Sequence, residues 1–441
     1  MDLDRHLRRW RKKLLYVAQT EAHVRPFQDE GAQSYGLYKG TKTLLLGSKL
    51  NLLLCFVWAV PFTASSPGAR FAVASFVLLP LAALLGDVTE KLAYHTNETV
   101  GGLLNATFGN ATEVIVSVCA LRRGLVRVVQ VSLLGSVLSN MLLVLGCAFI
   151  AAGLRQKVSK FNKLAATANT NLLFVAVMAL SIPSLLSLTT KITQREEETF
   201  SRLTSAIMLF CYSCYIYFQL GSHSHLFDEA ASDGDEAKEP DDDEGARFSG
   251  SPVPGPRMAD VVLQAIRQRD LRDAPPTFDH GSEEDDEDFV FDFWAAIALL
   301  TALTAGIALL SEVITGALQG AASAWDLPDA FIGFVLLPIV GNAAEHATAI
   351  SMARRGKIDL AIAVALGSST QIALLCIPLM TLFAWPMRQP LTLVFGNFEA
   401  SILLLAVLLV AAQVTASESH WLNGVLLVAA YVIIADAFVY L

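Results

Sequence analysis

Charge is scarce in this chain. Only 17% of its 441 residues are Asp, Glu, Lys or Arg, against 54% apolar residues. That balance excludes a soluble globular protein, whose helices would carry polar faces; most of the apolar runs here carry none. Short strands of alternating polarity are also missing, which excludes a membrane β-barrel. The first 42 residues are polar and lack an apolar signal region, so no cleaved leader is expected. Six cysteines, Cys55, Cys119, Cys147, Cys211, Cys214 and Cys376, all fall in apolar segments. The CYSC pair at 211–214 is read as packing rather than as a metal or redox site.

What is present is a series of apolar runs, many near the roughly 20 residues that cross a bilayer. With a mean hydropathy of +0.50 they predict an all-α polytopic membrane protein. Eleven spans are expected, at 43–62, 69–87, 100–121, 126–152, 164–188, 199–219, 291–316, 331–352, 358–385, 391–413 and 419–440. Lys and Arg set the orientation. With a cytosolic N-terminus, and the long loop left out, 17 of them lie on the cytosolic side and 8 opposite. The C-terminus then lies across the membrane.

The division expected is a cytosolic arm (1–42), a peripheral first helix (43–62), a five-helix repeat (63–225), an acidic cytosolic loop (226–290) and a second, inverted five-helix repeat (291–441). The loop holds 20 acidic and 6 basic residues. It reads either as a solvated linker or as a low-affinity surface that gathers divalent cations. Within it, 258–271 has helical spacing. The basic stretch RHLRRWRKKLL at 5–15 reads first as the positive-inside signal and second as an interfacial helix on anionic lipid. The sequons at 97–99, 105–107 and 110–112 are placed on the cytosolic side or in the membrane, so none is expected to be glycosylated.

One motif recurs inside the apolar runs. GNATE at 109–113 returns as GNAAE at 341–345, 232 residues later. The offset also matches Arg122-Arg123-Gly124 with Arg354-Arg355-Gly356 and Gly135-Ser136 with Gly367-Ser368. Ten of 32 aligned positions are identical without a gap, where unrelated sequence gives about two. The copies lie five spans apart, so they cross in opposite directions. Inverted repeats of this kind place a transporter's substrate near the midplane.

A mid-membrane acid costs roughly 2.5–3.5 kcal/mol on insertion scales, so Glu113 and Glu345 ask for a reason. Asn110 and Glu113 share a helix face, as do Asn342 and Glu345. Where the two helices meet, two carboxylates and two amide oxygens form an all-oxygen set suited to Ca²⁺. Gly109 and Gly341 permit close approach or a helix break, which frees backbone carbonyls as further ligands. Two facing carboxylates repel unless a cation or protons match their charge, so the pair is expected to hold one or the other. Ser136 and Ser139 on the fourth span, and Ser368, Ser369 and Gln371 on the ninth, either complete the shell or only pack; Asn140 follows the same logic. His346 is a proton carrier or a polar neighbour. It lacks the second His of the HExxH pattern, so a metalloprotease is excluded. Glu90 and Glu312, at the ends of the second and seventh spans, are candidates for vestibule relays.

These motifs resemble the calcium/proton exchanger (CAX) family of the calcium/cation antiporter superfamily. The resemblance runs over about 40–441 and rests on GNATEVIVS, GNAAEHATAI and GSSTQI (367–372). It implies one peripheral span, two inverted five-span halves and an acidic segment between them; the loop here is longer and more acidic than that segment. It also implies proton-driven removal of cytosolic Ca²⁺, with Mn²⁺ as a further substrate, across a vacuolar or other acidic-compartment membrane, or a bacterial plasma membrane. Carried over by position, Glu113 and Glu345 would bind the cation and carry protons. Asn110, Asn342, Ser368 and Gln371 would assist, with backbone around Gly109 and Ala343. His346 stands where many members have a His that affects transport. No cofactor, enzymatic activity or nucleic-acid partner is implied. The alternatives are a sodium/calcium exchanger of the same superfamily and a cation channel. His346 and Val114, in place of the extra small polar groups that hold Na⁺, favour protons.

Overall fold

The computed structural model describes residues 33–35, 37–93, 95–96, 98–190, 193–219 and 289–441. The basic stretch at 5–15, both acidic runs and the 258–271 segment lie outside the described residues, as does Asn97 of the first sequon.

Helices dominate because apolar side chains in a bilayer leave the backbone no partner but itself. Among the described residues six helices are long and apolar enough to cross a membrane, and two bent helix pairs raise that to eight. The protein is thus integral and multi-pass. The expected first span is not one helix. Helix α1 (Leu37–Gly47) stops at Ser48, whose hydroxyl accepts from Leu50 N, and a 3₁₀ helix (Lys49–Thr63) leaves at 102°. Next come α2 (Pro67–Ala93), then α3 (Glu98–Phe108) and α4 (Ala111–Arg122) in place of the expected third span. Helices α5 (Val126–Gly153), α6 (Lys163–Thr189) and α7 (Gln194–Tyr217) complete the first half.

The second half opens with α8 (Phe293–Trp325), which ends nine residues later than expected. The eighth span is broken into α9 (Asp329–Gly341) and α10 (Ala343–Arg354), bent by 55°. Helices α11 (Ile358–Ala384), α12 (Asn397–Thr415) and α13 (Trp421–Ala437) follow. The tenth span starts six residues late because 391–396 is irregular, and Pro390 cannot supply a helical N–H.

The backbone repeats with the sequence. α4 and α10 begin and end 232 residues apart, as do the starts of α5 and α11. Gly124 (φ 74°) and Gly356 (φ 84°) close the two turns between them in the left-handed region. Wide π turns occur at Ser139–Val144 in α5 and at Ile372–Cys376 in α11. In α11 the turn precedes Pro378, whose missing N–H leaves an upstream carbonyl to pair further along.

Two apolar cores result. One joins α5, α6, α7, α11, α12 and α13, with the far ends of α4 and α10 against it. The other joins α2 with α8, the end of the first bent pair and the start of α9. Small residues let backbones touch within the first: a Cβ on Gly146 would lie 2.9 Å from the Gly424 carbonyl oxygen. Two short ladders tie loops together, β1 (Gln33–Tyr35) parallel to β3 (Phe289–Phe291) and β2 (Ser159–Lys160) antiparallel to β4 (Glu418–Ser419).

Candidate functional site

The site forms where both repeat motifs break their helices. Helix α3 ends at Phe108, and the chain restarts as α4 after Gly109 and Asn110. Asn110 occupies the N-cap, yet its side chain makes no cap bond. Its amide instead donates to Gln371 Oε1 on α11 at 2.6 Å, while its own Oδ1 is buried without a protein partner. Gly109 is required here, since a Cβ would lie 2.7 Å from the Asn105 carbonyl oxygen.

The second motif follows the same pattern with different partners. Asn342 caps α10, is fully buried, and donates to the carbonyl of Ser136 on α5 at 3.3 Å. Its Oδ1 also lacks a protein partner. The Asn342 carbonyl accepts from His346 Nδ1 at 2.9 Å, which leaves the buried Nε2 unpaired. Ala343 opens α10 beside these groups.

The break brings the two copies together. Glu113, in the first turn of α4, is 7% exposed, and neither carboxylate oxygen has a protein hydrogen bond. Its Oε1 rests on the bare face of Gly341, where a Cβ would sit 2.9 Å away. Glu345 stands one turn further along that strand of chain, with Oε2 buried and unpaired, and lies within electrostatic range of Glu113. Burying an unpaired carboxylate costs several kcal/mol, so this arrangement asks for a positive partner.

Not every candidate joins the cluster in the expected way. Ser136 takes part through its carbonyl. Ser368 is half-buried, and its neighbour Ser369 is the fully buried hydroxyl, donating to Ala365 O at 2.8 Å and Val137 O at 3.3 Å. Asn140 is fully buried with both polar side-chain atoms unpaired. Glu90 is exposed. Glu312 is held by Arg123 Nη2 at 2.6 Å. Among the described residues no three His, Cys, Asp or Glu side chains converge as a metal cluster.

Sequence reasoning missed one buried acid. Glu399, 3% exposed in the first turn of α12, pairs with Arg127 on α5. Gln130, one turn further along α5, donates to the carbonyls of Thr392 and Val394. The signal was available: NFEASILLL (397–405) places an acid at the edge of an apolar run.

Comparison with known proteins follows this geometry. The family model described as sodium/calcium exchanger protein matches residues 67–221 and 295–439. The chain is 40% identical over 407 residues to vacuolar cation/proton exchanger 3 of Oryza sativa subsp. japonica, covering 91% of this chain and 88% of that protein. It is 35% identical over 398 residues to the Ca(2+)/H(+) antiporter of Synechocystis sp., covering 89% and 97%. The solved structure of native YfkE is similar with a TM-score of 0.66 at 30% identity, covering 88% of this chain and all of that one. The H+/Ca2+ exchanger CAX, at 14% identity and TM-score 0.57, covers 92% of this chain and 93% of its own, and shares the fold.

Proposed function

The chain belongs to the sodium/calcium exchanger protein family, among its cation/proton exchangers, and from that premise we propose that it exchanges Ca²⁺ for protons by alternating access. The relatives named above are cation/proton exchangers and a Ca(2+)/H(+) antiporter. The observation that carries the reading to individual residues is that Glu113, buried with both carboxylate oxygens unpaired, rests on Gly341, one turn before Glu345 with its buried and unpaired Oε2.

In this reading Ca²⁺ takes both carboxylates, with Asn110 Oδ1 and Asn342 Oδ1 as neutral oxygens. Gln371 holds the Asn110 amide by its NH₂ group, which turns Oδ1 toward the site. Ser136 does the same for Asn342. When Ca²⁺ leaves, the carboxylates are matched only by taking up protons, which couples the two flows. The opposed directions of α4 and α10 offer the same chemistry to either face. His346 Nε2, buried and without a protein partner beside Asn342, is the group that exchanges protons with the site. Gly109 and Ala343 contribute backbone, and Ser368 lines the approach.

The relatives' names further support a vacuolar membrane, and the Lys and Arg asymmetry supports a cytosolic N-terminus with outward Ca²⁺ flow from the cytosol. Mn²⁺ is proposed as a second substrate. Ca²⁺ uptake into vesicles driven by an imposed pH gradient tests the reading. Uptake is expected in the wild type, with Na⁺ replaced by choline making no difference, and is expected to be abolished by Glu113→Gln or Glu345→Gln. Na⁺-dependent uptake would reassign the chain to sodium/calcium exchange, and an ohmic current without saturation would make it a channel.

A further inference from the structure

Arg123 and Arg355 are repeat mates, each capping the end of the short helix that begins at one of the site carboxylates. Their surroundings differ. Arg123 Nη2 donates to Glu312 Oε1 at 2.6 Å and to the Glu312 carbonyl at 3.3 Å, bridging α4 to α8. Gly316, one turn beyond Glu312, leaves room for the guanidinium; a Cβ there would stand 3.0 Å from Arg123 Nη2. This contact crosses from one apolar core to the other.

Arg355 is exposed and forms no ion pair among the described residues. Its helix, α10, packs on α2 as α4 packs on α8. The residue on α2 that corresponds to Glu312 can be read from the chain. ALLGDV (83–88) aligns with ALLSEV (308–313), which sets Asp87 against Glu312. Asp87 is exposed, two turns before the end of α2, beside Glu90 and Lys91. The inverted repeat therefore supplies an Arg and an acid at both faces, and only one of the two pairs is made.

We propose that Arg123–Glu312 and Arg355–Asp87 are alternative latches of the transport cycle. The first holds its face closed in the state seen here; the second forms at the opposite face when the first opens. Each latch joins the end of a site helix to the α2–α8 pair, so closing one pulls the core toward that face and draws the other Arg from its acid. This inference rests on the alternating-access reading above. Both pairs are solvent-exposed, which keeps each weak enough to break every cycle; such pairs shift an equilibrium about two- to fivefold.

The test uses the full chain in lipid vesicles of fixed orientation, with pH-driven Ca²⁺ flux as the readout. Asp87→Asn and Arg355→Gln are expected to slow flux about two- to fivefold, with unchanged thermal unfolding in detergent, and the swap D87R with R355D to restore most of it. Glu312→Gln and Asp87→Asn are expected to move the half-saturating Ca²⁺ at one face in opposite directions, because each depopulates a different state. A wild type that exchanges normally while these variants do not differ from it, shift the same way, or gain nothing from the swap overturns the latch and leaves the exchange reading intact. A wild type without proton-coupled flux overturns both.

Discussion

Replacing Gly341 by Ala tests the site with one methyl group. The new Cβ would lie 2.9 Å from Glu113 Oε1, about 0.6 Å short of ordinary contact. The backbone need not move, because the obstructing atom ends a side chain; the carboxylate must. Moving it about 0.5 Å from a Ca²⁺ bound at roughly 2.4 Å costs about 2 kcal/mol at an effective dielectric of ~20. That is about 30-fold in affinity, and about tenfold where the site relaxes. Gly367 is the matched control: a Cβ there meets nothing within 4 Å. Gly367→Ala is expected to leave transport unchanged and to stabilise α11 by up to about 1 kcal/mol. Half-saturating Ca²⁺ in the vesicle assay and thermal unfolding in detergent separate binding from folding. Wild-type Ca²⁺ affinity in a folded Gly341→Ala protein would refute the placement of Glu113 in the cation site.

Arg127→Ala strands the buried Glu399 carboxylate, and with Arg127 half exposed the expected loss is about 1–3 kcal/mol of stability; adding Glu399→Gln should recover part of it in thermal unfolding, and no recovery would remove the pair from the stabilising contacts. At the start of α7, the Thr193 backbone N–H and then its hydroxyl hold the Glu196 carboxyl below the ordinary carboxylate range. A depressed native value stabilises the folded state above the unfolded value and loses that contribution as pH falls through the native one. The protection of amides 194–198, taken relative to their intrinsic exchange rate at each pH, is therefore expected to be constant above pH ~5 and to fall in stronger acid, and Thr193→Ala should remove the dependence.

Much of the framework was legible because a bilayer restricts the backbone to few solutions. Apolar run length located most helices, and the 232-residue repeat located both motifs before any contact was known. The paired helix breaks are carried by Gly109-Asn110 and Gly341-Asn342, where a missing Cβ and a cap-forming amide mark the interruption. The bend after α1 was not legible, since LNLLLCFVWAV has the composition of an ordinary span. Nor was the irregular 391–396 segment: backbone groups of Thr392, Leu393, Val394 and Phe395 bond Gln130, Ser201 and Ser184 on three other helices, and no local pattern announces partners that distant. Glu399 escaped notice because its partner, Arg127, lies 272 residues away on α5.

The chain alone determined that two acids sit in apolar runs related by an inverted duplication, because insertion cost and repeat register are local properties that residue order carries. Which atoms meet was decided by tertiary structure. Gly341 receives Glu113, Gln371 orients Asn110, and the Ser136 backbone rather than its hydroxyl holds Asn342; each depends on how helices from different halves cross. The asymmetry between Arg123, paired with Glu312, and Arg355, without an ion pair among the described residues, is likewise absent from the sequence, in which the two are equivalent. The duplication repeats the Arg in both halves, and packing decides which of the two has an acid within reach.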